Sequence, residues 1–465
     1  MSIKLPDYFV TDKDVLDAYS TDWSGEKMVP QYLVRPKSKE EIVECLKFCN
    51  ENNIPTTPAG AQSCDTASSL SETGVCMSTN QMKKIIEINP EEGYAIAEPG
   101  VFVGDLKKEL SADNLLYAPD PTSENIATLG GTVATNAGGA RGFKYGQTAD
   151  HVLGVELVLA DGNVIYVEKD KTSKRSTGPT TFNNLTELMS GSEGIFGVFS
   201  KIKVKISKGI PDAYAMVCFF DTMENLVQFA IDIRDNKFKG VSPRSLEYMD
   251  NSCLDILRDG PKAAQVPAGS QGAVILEQEY TEENFEETLD AWLEVLEKST
   301  PFSEATIVAD TEAKIVELRE LRHHLPATLN ERGALAGQNG GRKVSTDWAV
   351  PLEKFPEMMK KGEELSIKFG FGPERTFRYA HLGDGHPHYN FVPENTEELK
   401  QCLELRRELS KLAVSLGGTV AGEHGIGKHR KDLFEFEEPS LKIRLMKALK
   451  KELDPKGLMA PGNLF

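Results

Sequence analysis

The stretch from Pro119 to Gly162 constrains the fold most. It holds Gly130, Gly131, Gly138, Gly139, Gly142 and Gly146 within seventeen residues, and from Gly130 to Ala140 they are separated only by Ala, Thr, Asn and Val. Side chains that small let backbone N–H groups come up against a ligand, and glycine permits the positive-φ turns that aim them. No Lys-Ser or Lys-Thr follows the glycines, which excludes a phosphate-binding P-loop. The spacing is not Gly-x-Gly-x-x-Gly after a strand, which excludes the nicotinamide dinucleotide fingerprint. For the glycines alone, a ligand cradle and a set of tight structural turns are equal readings.

The 465 residues suffice for two or three domains, and 40% hydrophobic with 27% charged residues is ordinary for globular protein. A formal charge of −18 argues against nucleic acid and against anionic membrane surfaces. No apolar run approaches membrane-spanning length and the first residues lack a signal-peptide core, so a cytoplasmic protein without membrane insertion is expected. Seven cysteines, Cys45, Cys49, Cys64, Cys76, Cys218, Cys253 and Cys402, contain no Cys-x-x-Cys pair. Disulfide scaffolds, structural zinc and iron–sulfur clusters are thereby disfavoured.

Ser38 with Glu41 three residues on starts a helix, continued by Ile42, Leu46 and Cys49 at helical spacing. Ile54 to Ser63 reads as strand and loop. Ile85–Ile88 and Tyr94–Ala97 alternate around a turn, and Val155–Val167 forms a hairpin with Asp161-Gly162 at its tip. Lys201–Ile206 is an alternating strand. From Ile210 strands and helices alternate: Tyr214–Phe220, Met223–Asp235, Arg244–Tyr248, Ala273–Glu279, Glu282–Lys298, Thr306–Ala309 and Glu312–Leu329, then a strand over Arg342–Val350 and a helix over Glu353–Phe369. This predicts an α+β domain with an antiparallel sheet. Helices over Thr396–Leu416 and Leu441–Leu453 complete the chain.

Five of the eight histidines lie between His381 and His429, and three of them, His381, His386 and His388, fall within eight residues. A lone histidine is usually just a satisfied polar side chain. Three in a glycine-containing turn, with Glu423-His424 downstream, point instead to a divalent ion: zinc, iron or manganese. Two histidines and a carboxylate leave positions open for a bidentate substrate. On these residues alone, a metal hydrolase or lyase with structural glycines is an open alternative.

Taken together, the glycine run, Gly191-Ser192-Glu193-Gly194, His381-Leu382-Gly383-Asp384-Gly385 with His388, and Gly422-Glu423-His424-Gly425 resemble a known family. It is the D-2-hydroxy acid dehydrogenase branch of the vanillyl-alcohol oxidase and para-cresol methylhydroxylase flavoproteins. The resemblance covers nearly the whole chain. It implies an α+β protein: a two-part para-cresol methylhydroxylase-type FAD-binding domain over 1–208, and an α+β cap domain with an antiparallel sheet over 209–416. A C-terminal segment, 417–465, carries Glu423 and His424 and returns to the FAD domain.

The same resemblance implies noncovalent FAD, held by Pro58, Gly60, Ala61, Gln62 and Ser63 of one loop. Pro119, Asp120, Thr122, Ser123, Thr128, Gly130, Gly131, Thr135, Ala137, Gly138, Gly139, Arg141, Tyr145 and Gly146 join from the glycine run, with Glu193, Ile195 and Asn463. It implies His381, His388 and Glu423 as metal ligands and His424 as general base. His386 stands where the family usually has Asn; an extra ligand, a donor supporting the ligands from outside the coordination sphere and a substrate contact are the open readings, the second being preferred. Arg322 is the implied carboxylate-binding residue and Lys343 a weaker candidate; Arg319 and Arg322 pairing with glutamates on a solvated helix is the competing reading. The implied substrate is a small D-2-hydroxy acid, D-lactate first, with D-glycolate and D-2-hydroxyglutarate as alternatives; a non-catalytic flavin subunit is a further reading. The chain carries no iron–sulfur or haem-attachment pattern. The implied electron acceptor is therefore a separate redox protein: some members of the family work beside iron–sulfur subunits and others beside an electron-transferring flavoprotein, and the latter is preferred.

Overall fold

The computed structural model describes residues 4–169, 178–179, 183–258 and 266–465, with the side chains of 320–324 outside that description. The chain forms two compact units. The first comprises Met1–Gly139, Gly146–Ile210 and Glu423–Phe465; the second comprises Ala140–Tyr145 and Pro211–Gly422.

In the first unit the helix Lys39–Glu51 starts where the sequence places it. Ser38 Oγ accepts from Glu41 N–H, and Glu41 Oε2 takes the N–H of Lys37 rather than that of Ser38. Its buried side chains Ile42, Cys45, Leu46 and Cys49 pack on two sheets at once. One is a parallel sheet of Tyr32–Val34, Val75–Ser78 and Thr56–Ala59, in that order. It contributes Val34, Val75 and Met77 to the shared core. The other is antiparallel, in the order Ile85–Asn89, Tyr94–Ala97, Gly197–Lys205, Val152–Leu159 and Val164–Glu168, and contributes Val158 and Val198. Both expected hairpins are present as neighbours in this sheet.

The second unit is built on a seven-stranded antiparallel sheet. Its order is Ile307–Ala309, Asp212–Phe220, Gly272–Tyr280, Pro243–Asp250, Thr376–His381, His386–Phe391 and Val344–Ser345. Successive side chains on a strand point to opposite faces. Tyr214, Met216, Cys218 and Phe220 accordingly join a core with helices Met223–Arg234, Phe285–Ser299, Phe355–Lys368 and Thr396–Ser415. Ala215, Val217 and Phe219 face the other way, against Asn251–Arg258 and Glu312–Ala336. The sheet is thus covered on both faces, which explains why its strands read as nearly continuous apolar runs.

Two expectations are corrected. The strand over Arg342–Val350 reduces to Val344–Ser345, because the Thr346 hydroxyl accepts the Tyr389 N–H and interrupts the ladder. The helix expected to end at Leu329 continues to Ala336, past Pro326. All seven cysteines are free thiols. Among the described residues no helix is long and apolar enough to cross a membrane.

Candidate functional site

In the first unit, two of the loops expected to hold the cofactor meet. The loop Gly60–Ser63 leaves the strand Thr56–Ala59 and packs on Thr128, the N-cap of helix Leu129–Thr135. A Cβ on Gly60 would collide with the Thr128 hydroxyl, which is engaged by the N–H of Gly131. Thr135 caps back onto the Gly131 carbonyl. Gly130 and Gly131 are therefore helical, not the positive-φ turns that glycine suggests. Of the six glycines in the run only Gly146 has positive φ, and the left-handed turn after the helix falls on Asn136 at φ 51°.

Beyond Asn136, Ala137 accepts both the N–H and the hydroxyl of Thr148, which pins the next segment. Gly139 lies on the Asp120 carbonyl so closely that a Cβ would overlap it, which ties the Pro119–Ser123 segment to the glycine run. Among the described residues, no hydrogen-bond partner takes up the N–H groups of Gly60, Ala61, Gln62 and Ser63, or of Gly138 and Gly139. Rows of N–H donors on loops without bulky side chains fit a pyrophosphate such as that of FAD.

Glu193, at φ 47° and buried, turns its carboxylate to the segment after His424. It accepts the N–H groups of Ile426 at 2.6 Å and Gly427 at 2.7 Å. Burial pushes the Glu193 carboxyl up to about 7, against the opposing pull of these two N–H donors and of the Arg430 and Lys428 charges. Burial likewise brings the Lys428 ammonium down to about 8. Lys428 donates to Asn463, whose amide in turn donates to the carbonyls of Ser68 and Glu193. Ile195 offers its carbonyl to Lys450. This network holds Glu423 and His424 on a braced segment. His424 Nδ1 lies 3.3 Å from Asp65 Oδ2, and its Nε2 3.3 Å from Glu423 Oε1. A Cβ on Gly138 would come within 3.2 Å of the Glu423 carboxylate.

In the second unit the sheet register assembles the histidines. His381 and His386 are direct partners across the hairpin, and Tyr379 is opposite His388. Cross-strand partners share a face, as do residues two apart, so all three imidazoles project from one face. Their ring centroids are 5.6, 5.6 and 4.5 Å apart, and each offers a nitrogen within 4.8 Å of the others. The turn between the strands needs Gly385 at φ 62°.

Glu247 is the cross-strand partner of His381 on the neighbouring strand, and its carboxylate lies 2.6 Å from His381 Nδ1. The Thr346 carbonyl lies 3.3 Å from His388 Nδ1. An acceptor at Nδ1 fixes the tautomer that presents Nε2 to an ion, the usual arrangement of a metal-binding histidine. The donor chemistry therefore fits a divalent metal.

A buried ion-pair cluster lies elsewhere in this unit. Burial would raise the Glu277 carboxyl, but hydrogen bonding to Arg319 and the charges of Arg244, Arg319 and Arg141 hold it down at about 2. Lys144 and Tyr145 bind the neighbouring Glu279. Arg319 thus pairs with a glutamate, but one on the strand Gly272–Tyr280 rather than on its own helix. Arg322 belongs to the same helix, but its side chain lies outside the described residues. Lys343 reaches Asn330. Sequence reasoning missed Asp65, Glu247 and Asp347. Each is a lone carboxylate whose role arises from sheet register or loop packing, and no local pattern marks it.

Residues 212–464 match the family described as FAD linked oxidases, C-terminal domain, and residues 30–168 match an FAD binding domain. The chain belongs to the FAD-linked oxidase family. This FAD-linked oxidase is similar to a D-lactate dehydrogenase of Archaeoglobus fulgidus, at 31% identity over 96% of this chain and 95% of that one. It is also similar to glycolate oxidase subunit GlcD of Bacillus subtilis, at 28% identity over 96% of this chain and 92% of that one. Among solved structures, p-cresol methylhydroxylase with substrate bound superposes with a TM-score of 0.71 at 16% identity, covering 98% of this chain and 94% of that one. Alkyldihydroxyacetonephosphate synthase superposes at 0.74 and 18%, covering 98% and 82%. The FAD-linked oxidase therefore has the p-cresol methylhydroxylase-type fold, an α+β architecture of FAD-binding part and cap.

Proposed function

We propose that this FAD-linked oxidase dehydrogenates a D-2-hydroxy acid, D-lactate to pyruvate in the first instance, and hands the electrons to an electron-transferring flavoprotein. The observation that carries the reading is the group of three imidazoles on one sheet face, in a chain whose relatives include D-lactate dehydrogenases and a glycolate oxidase subunit. FAD supplies the hydride acceptor, and a divalent ion supplies Lewis acidity toward the substrate hydroxyl and carboxylate.

In this reading the loops Pro58–Ser63 and Pro119–Gly146, with Glu193, Ile195 and Asn463, hold FAD. His381, His388 and Glu423 hold the ion. His424 removes the hydroxyl proton. Arg322 binds the substrate carboxylate, for which a planar bidentate donor is suited.

Anaerobic titration of the purified protein with D-lactate, L-lactate, glycolate and D-2-hydroxyglutarate tests the proposal. D-lactate is expected to bleach the visible flavin absorbance most readily. The chain alone should not reduce NAD, and adding an electron-transferring flavoprotein should open turnover. Preference for L-lactate or for the dicarboxylate overturns the substrate choice, and direct NAD reduction overturns the acceptor.

A further inference from the structure

His386 occupies the position where the resembling family has Asn, within the histidine group. It is buried, and its ring is the one nearest His388, at 4.5 Å between centroids. Its Nε2 lies 3.2 Å from Oδ1 of Asp347, whose side chain is fully buried, yet among the described residues Nε2 is in hydrogen-bond geometry with no group. Two ligand atoms bound at 2.0–2.1 Å to one ion lie about 3.0 Å apart at a right angle and about 3.4 Å apart at a tetrahedral angle. A separation of 3.2 Å without hydrogen-bond alignment is the spacing of two ligands, and a poor fit to an acid–imidazole pair.

Gly422 lies against the face of the His386 ring. A Cβ on Gly422 would fall 2.6, 2.7 and 2.8 Å from Nε2, Cδ2 and Cε1 of His386. Near-equal distances to three ring atoms put that position over the ring face, not along the Nε2 lone pair. Gly422 N–H also donates to the Asp347 carbonyl, so one glycine both supports the imidazole and fixes the backbone of the carboxylate. Asp347 offers an oxygen within 4.8 Å of the ligand nitrogen of His388 as well.

We propose that His386 Nε2 and Asp347 Oδ1 bind the divalent ion directly, so that three imidazoles and a carboxylate come from the second unit alone. The proposal rests on the metal dependence set out above and deepens it. Its consequence is selectivity: a third imidazole favours Zn²⁺, Fe²⁺ or Co²⁺ over Mg²⁺ and Ca²⁺, which take oxygen ligands.

The test uses the full-length protein, stripped of metal and reloaded with Zn²⁺. X-ray absorption at the zinc edge counts imidazoles, and competition with a chelating dye gives the affinity. A supporting role outside the coordination sphere also weakens binding when removed, so the imidazole count is the discriminating readout. Wild type is expected to show three imidazoles and His386→Asn two, with Asp347→Asn keeping three but binding Zn²⁺ at least about tenfold more weakly. Two imidazoles in wild type overturn the role of His386, even if a variant does not fold. Zinc affinity of Asp347→Asn within about twofold of wild type overturns the role of Asp347. Wild type that takes up no Zn²⁺ overturns the metal reading itself, a result distinct from both.

Discussion

Glu193→Gln separates a titrating group from a structural one. The Glu193 carboxyl is pushed up to about 7 from its ordinary value of 4.5, chiefly by burial. Between these values the native state holds a proton that the unfolded chain has lost. The unfolded state then binds fewer protons, so stability falls as pH rises through this window. The full contribution is present below pH 4.5 and lost above about pH 7. At 1.36 kcal/mol per pH unit the swing is about 3 kcal/mol. Glutamine stays neutral and removes the slope. Its carbonyl accepts one of the two N–H groups that Glu193 takes from Ile426 and Gly427, while its NH₂ confronts the other. That mismatch costs about 1–3 kcal/mol at every pH. Urea unfolding followed by circular dichroism, from pH 4.5 to about pH 8, gives the two curves. The variant should begin less stable and gain on wild type by about 3 kcal/mol by neutral pH. Parallel curves refute the reasoning, because a purely structural carboxyl gives an offset without a slope.

Gly60→Ala drives a Cβ into the Thr128 hydroxyl and displaces the helix cap. It should cost about 1 kcal/mol in stability and lower flavin occupancy, read as the flavin-to-protein absorbance ratio. Acid precipitation should release FAD to the supernatant; yellow colour in the pellet indicates a covalent bond. His388→Ala should lose metal by elemental analysis yet keep FAD, because His388 belongs to the second unit and the loop Gly60–Ser63 to the first. His424→Ala should keep the metal and lose about 10²–10⁴-fold in kcat, the scale of a missing general base.

Local pattern carried most of the fold. Ser38 started its helix because capping is settled within four residues, and Tyr214–Phe220 formed a strand although it lacks alternation, because both its faces are covered. The strand over Arg342–Val350 failed for a reason no periodicity contains: the Thr346 hydroxyl intercepts a ladder donor of a strand far along the chain. Glycine composition also misled at Gly130 and Gly131, which take up helical conformation. Their smallness serves close approach, of Gly130 to Pro99 for instance, where a Cβ would fall 2.6 Å from the proline ring.

By itself the sequence determined which chemistry is present: His381, His386 and His388 fall within eight residues around a glycine-containing turn, with Glu423-His424 downstream. Only the tertiary structure decided what stands beside each imidazole. Glu247 stands beside His381 from 134 residues away because two strands pair in one register, and Asp347 meets His386 because the chain after Ser345 leaves the sheet. Asp65 reaches His424 across most of the chain length. Such carboxylates reach the imidazoles through contacts of a few ångströms, and distance in space is not written in the order of residues.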